Sequence, residues 1–170
     1  MTEGLDPLLS VAEISAAFAG FAGIVSAIAH RGTDVWQPGN LTRLHLMIYS
    51  SLAATLMALV PFLFALNTDV INWTLCVGVF AAFLVVFSTI QIRTFIRLVR
   101  EGALNGYVAT FSAGITLFGT GTQILGVFGV FEAGLGVYFV GIFCLLVVCS
   151  IAFVRLVTAT IMAGMPCGGA

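Results

Sequence analysis

Five runs of mostly apolar residues, at 8–29, 44–66, 73–100, 107–131 and 135–163, leave this chain few ways to fold. Each supplies the roughly 20 apolar residues that a helix needs to cross the ~30 Å hydrocarbon core of a bilayer. The third run stays apolar to Ile92 and the fifth to Val154, after which arginines enter. Lipid offers a backbone no hydrogen-bond partner, so spans of this length imply helices that bond internally. The expected fold is an all-α membrane protein, a single domain over 1–170 built as a bundle of five transmembrane helices. With 61% apolar and only 8% charged residues, the chain lies far from soluble domains, where about a quarter of residues are charged.

The first run carries Ala27-Ile28-Ala29, which imitates a signal-peptide cleavage site. Glu3 and Asp6 precede it where a signal peptide needs positive charge, so it reads as a retained helix. Punctuation agrees with the other limits. Asp6-Pro7 suits a cap followed by proline, Pro38-Gly39-Asn40 reads as a turn before the second helix, and Asn72 and Asn105 suit caps of the third and fourth. Gly164 and Pro166 close the fifth.

Arginine placement gives the orientation, because basic residues gather on the cytoplasmic side. Arg31 and Arg43 flank the first connection, Arg93, Arg97 and Arg100 end the third run, and Arg155 lies late in the fifth. The alternate ends carry only acids, Glu3, Asp6, Asp69 and Glu132. Five crossings put every arginine on one side, with the N-terminus outside and the C-terminus inside. Trp73 and Tyr138 then fall at outer boundaries and Tyr107 at an inner one, where aromatic belts sit.

Several function classes drop out. Six arginines nearly balance seven acids, so no net positive charge recruits nucleic acid. Lysine is absent, which removes Schiff-base chemistry and any Walker-type phosphate loop. Cys76, Cys144, Cys149 and Cys167 form no C-x-x-C pair and read as small buried residues. His30, Asp34 and His45 gather near one connection, but Gly32 interrupts them, so no metal or other cofactor is expected. No nucleophile has a base partner and no carboxylate pair appears, so the chain does not read as an enzyme.

Three polar or small-residue features remain. In the first run Ala12, Ala16, Gly20, Gly23 and Ala27 recur at spacings of three and four, the pattern by which membrane helices pack closely. Glu13 sits among them, roughly 9 Å beyond Pro7 at 1.5 Å per residue. Either it bonds to a neighbouring helix, or it is an acidic group in a cation path. In the fourth run Ser112, Thr116, Thr120 and Gln123 make one polar stripe, usable as interhelical glue or as a pore lining. Arg93, Arg97 and Arg100 share a face, which serves topology or binds anionic lipid headgroups.

The opening VAEISAAFAGFAGIVSAI, followed by Trp36 and LTRLHLMIYSSLAATLMALVPF, resembles a class of short bacterial inner-membrane proteins with no established activity. The resemblance covers roughly the first 65 residues. It implies a bacterial inner-membrane location and assigns no functional residue. The sequence therefore leads to a small homo-oligomeric channel or pore for ions or small solutes. A non-enzymatic accessory or sensor subunit that binds another membrane protein or anionic lipid is the alternative.

Overall fold

The computed structural model describes residues 6–29, 38–67, 71–102 and 106–163, helix-end side chains at 26–29, 38–40, 66–67 and 159–163 excepted. Within them the chain is five α-helices: α1 (Asp6–Ala29), α2 (Pro38–Asn67), α3 (Trp73–Arg100), α4 (Gly106–Val127) and α5 (Leu135–Ala163). All five are long and apolar enough to cross a membrane, and the described residues include no strand.

Two helix limits differ from expectation. α2 begins at Pro38 rather than near Leu44. Proline lacks only a donor that a first turn leaves unused anyway, so Pro38 opens the helix instead of preceding it. α4 ends at Val127 rather than Phe131. Gly129 adopts φ 74°, and its N–H reaches the Gly126 carbonyl while Val130 N–H reaches Leu125. That pair of bonds is a Schellman stop, which glycine enters without steric cost. At α3 the expected Asn72 cap is present, its side chain accepting from Leu75 N–H at 3.2 Å. The Asn105 cap lies outside the described residues.

α5 occupies the middle. α1 packs on α2, α2 on α5, α5 on α4, and α4 on α3, while consecutive α2 and α3 touch least. The reason lies in two separate cores. At one end, Leu8 of α1, Ala54 and Ala58 of α2, Phe80 and Leu84 of α3, and Tyr138 and Ile142 of α5 interlock. Toward the other end, Ala22, Leu44, Met47, Cys149, Ala152 and Leu156 form a second cluster from α1, α2 and α5 alone. α3 does not join it. All described arginines, Arg43, Arg93, Arg97, Arg100 and Arg155, belong to this second end. Cys76, Cys144 and Cys149 are free and buried, as small core residues.

Tyr138 corrects the aromatic-belt expectation. Its ring is fully buried, 5.0 Å from Phe80 and 6.1 Å from Trp73 between centroids. Its hydroxyl donates to the Met57 carbonyl of α2. Four residues after Met57 stands Pro61, inside the helix, and proline has no N–H to give that carbonyl. Tyr138 therefore supplies the donor that the helix lacks, as spanning backbone in lipid requires.

Candidate functional site

Glu13 is exposed, on the side of α1 opposite its packed residues. Leu8, Val11, Ser15 and Ala22 face the bundle and are buried, with Ser15 bonded back to the Val11 carbonyl at 2.7 Å. The small-residue row divides accordingly. Ala12 is buried in the bundle, while Ala16, Gly20 and Gly23 lie exposed beside Glu13. A Cβ added at Gly20 or Gly23 would meet nothing within 4 Å, so their smallness serves no contact among the described residues. The Ala27 side chain lies outside the described residues. The exposed face is thus a strip of small side chains carrying one carboxylate, flanked by exposed Ile14, Phe21 and Ile24.

The α4 stripe faces the opposite way, into the protein. Ser112, Thr116, Thr120 and Gln123 are all buried. Thr116 donates to Gln91 Oε1 at 3.0 Å, Gln91 Nε2 donates to Ser112 at 3.3 Å, and Ser88 and Thr120 share a bond of 2.9 Å. Gln123 Nε2 donates to the Val137 carbonyl of α5. The result is a polar ladder about 16 Å long between α4 and its neighbours α3 and α5, at 1.5 Å of rise per residue. Within one protomer the stripe acts as glue, each interhelical bond worth roughly 0.6 kcal/mol and at most about 1.7 kcal/mol. Its partners Ser88 and Gln91 were absent from the sequence candidates. The signal was their spacing of three, which puts both on one face of α3.

Glycine shapes the edge of this same face that meets α5. A Cβ at Gly119 would lie 2.9 Å from Cys144 Cβ, and one at Gly126 would lie 2.9 Å from Val137 Cγ1. Across the seam a Cβ at Gly141 would come within 2.6 Å of both the Gln123 amide and the Phe80 ring. These glycines bring α4 and α5 close enough for Gln123 to reach the α5 backbone. Close approach and polar ladder are one arrangement.

The arginines of α3 separate in the structure. Arg93, Arg97 and Arg100 are all exposed, and Arg97 and Arg100 occupy the last turn, where positive charge complements the helix dipole. Arg97 alone of the three lines a groove of about 830 Å³ between α2 and α3. Its Nε lies 3.9 Å from Glu101 Oε1. His45 lines the same groove and stacks on Tyr49 with centroids 5.9 Å apart. His30 and Asp34 lie outside the described residues, and among those described no group of three metal-binding side chains forms.

Comparison with family models, with curated proteins and with solved structures gives no match. The functional reading therefore rests on the residues themselves.

Proposed function

We propose that this protein is a small, non-catalytic homo-oligomeric channel for ions or small solutes in a bacterial inner membrane. Its N-terminus lies outside and its C-terminus inside, with the conducting path formed between copies along the exposed face of α1. The observation that carries this reading is Glu13, exposed on a strip of Ala16, Gly20 and Gly23 that none of the described residues covers. An acid held against lipid costs on the order of 2–3 kcal/mol, and intramembrane acids face protein or water for that reason. Small side chains let helices of neighbouring copies approach closely. Together they favour an assembly with α1 turned inward and a ring of carboxylates, which selects cations. The buried α4 stripe belongs to the wall of such an assembly and holds α3 to α4.

The test is flux through protein reconstituted in vesicles. Glu13→Gln is expected to lower the cation over anion preference at least several-fold, whereas Thr120→Val leaves selectivity unchanged and lowers stability. Unaltered conductance and selectivity in an active Glu13→Gln protein would sink the channel reading.

One observation favours the accessory-subunit reading instead: the α4 stripe is engaged within the protomer. The strip on α1 then receives a helix of another membrane protein, with a cation of that partner meeting Glu13. A stoichiometric partner co-purifying from native membranes, with no flux from the isolated protein, would select it.

A further inference from the structure

The groove between α2 and α3 is a product of the two-core packing. The helices meet at the end that holds Ala58, Phe80 and Tyr138, then diverge as α3 leaves the second cluster. Its walls are apolar through most of their length, with Leu52 and Leu56 of α2 facing Phe83, Phe87 and Ile90 of α3. Leu56 is 63% and Ile90 62% exposed, and the two phenylalanines stack with centroids 5.9 Å apart. Polar groups concentrate at the arginine end, where Thr42, His45, Thr94, Arg97 and Glu101 line the mouth, while Tyr49 and Gln91 stand nearer the middle.

We infer that this groove binds one anionic phospholipid of the leaflet at the arginine end, its phosphate at Arg97 and His45 and an acyl chain along Leu56, Phe83 and Phe87. Three observations fix the occupant. From Phe83 to Arg97 the groove runs about 21 Å along α3 at 1.5 Å per residue, which matches one leaflet, half of a bilayer roughly 40–45 Å thick with its headgroups. Its volume of about 830 Å³ lies within the range of about 300–1,000 Å³ typical of ligand sites. Charge completes the match. Arg97 carries the only described cation that faces the groove from α3, and its side chain is 72% exposed. The contact to Glu101 at 3.9 Å is an exposed ion pair of little strength, and a phosphate oxygen offers a guanidinium stronger, bidentate bonds. Arg93 and Arg100 lie beyond the rim and do not line the groove. The site is independent of the channel reading; only its assignment to the inner leaflet follows from the proposed topology.

Native mass spectrometry of the full chain, released from micelles holding equal phosphatidylglycerol and phosphatidylcholine, tests the site. The wild type is expected to retain one phosphatidylglycerol per chain in preference to phosphatidylcholine. Arg97→Gln should lower that retention about tenfold, equivalent to about 1.4 kcal/mol, while Arg93→Gln, one turn away, changes it less than twofold. Leu56→Trp narrows the apolar wall without touching charge and should also reduce retention. Equal loss in the Arg93 and Arg97 variants, equal retention of both lipids, or a protein helix occupying the groove would overturn the inference.

Discussion

Gly141→Leu is expected to prevent α4 and α5 from closing and to abolish the folded bundle. The reason is geometric. Even the first added atom would stand 2.6 Å from the Phe80 ring and from the Gln123 amide, and neither neighbour has room to move. Phe80 is fully buried in the core, and Gln123 is bonded to the Val137 carbonyl. Overpacking of this kind typically costs about 1–3 kcal/mol and occasionally more. A leucine here also strands the Gln123 amide, whose Oε1 already finds no partner among the described residues. The cost is therefore expected at about 3 kcal/mol or above, at the top of that range. Thermal unfolding in detergent checks this against Gly136→Leu, on the same helix where an added Cβ meets nothing within 4 Å. The Gly136 variant should unfold like wild type.

The second large effect concerns Tyr138. Tyr138→Phe keeps the ring and its contacts with Phe80 and Trp73 and removes one donor. The Met57 carbonyl is then left without a partner from either direction, since Pro61 supplies no N–H. A buried acceptor left unsatisfied costs roughly 1–3 kcal/mol. The mechanism makes a sharper statement than the magnitude. In a Pro61→Ala background residue 61 gains an N–H that reaches Met57, so Tyr138→Phe should cost far less there. A double-mutant cycle reads this directly. An equal loss in both backgrounds would show that the hydroxyl acts elsewhere.

Particular residues show what the sequence could reveal. The five spans were legible because hydropathy needs no knowledge of partners, and lipid imposes helix on any long apolar run. The Asn72 cap was legible for a related reason, being a local bond over three residues. Pro38 was placed before its helix rather than in it, and the fourth helix was run past its stop at Gly129, because proline and glycine punctuate without saying whether they open, close or follow a helix. The direction of each polar face was not legible. Spacing put Ser112, Thr116 and Thr120 on one side of α4, but their partners Ser88 and Gln91 belong to α3, and no local rule pairs two helices. The small-residue row of α1 shows the same limit from the other side. Its spacing announced close packing, yet only the fold shows Ala12 turned inward and Gly20 and Gly23 left uncovered. The groove was the least visible feature, since it arises from two helices that fail to stay together.

These features give the protomer a rigid interior and an unfinished exterior. Buried polar side chains are bonded to one another or to backbone carbonyls, and Glu13 of α1 faces away from them. The measurement that bears most directly on a homo-oligomeric channel is the mass of the membrane-embedded particle, taken for wild type and for Gly20→Leu. The account predicts one symmetric oligomer of three or more 17.9 kDa chains, dispersed to smaller species by Gly20→Leu, a change the protomer itself tolerates. A monomer, or a complex with a different protein, would contradict it.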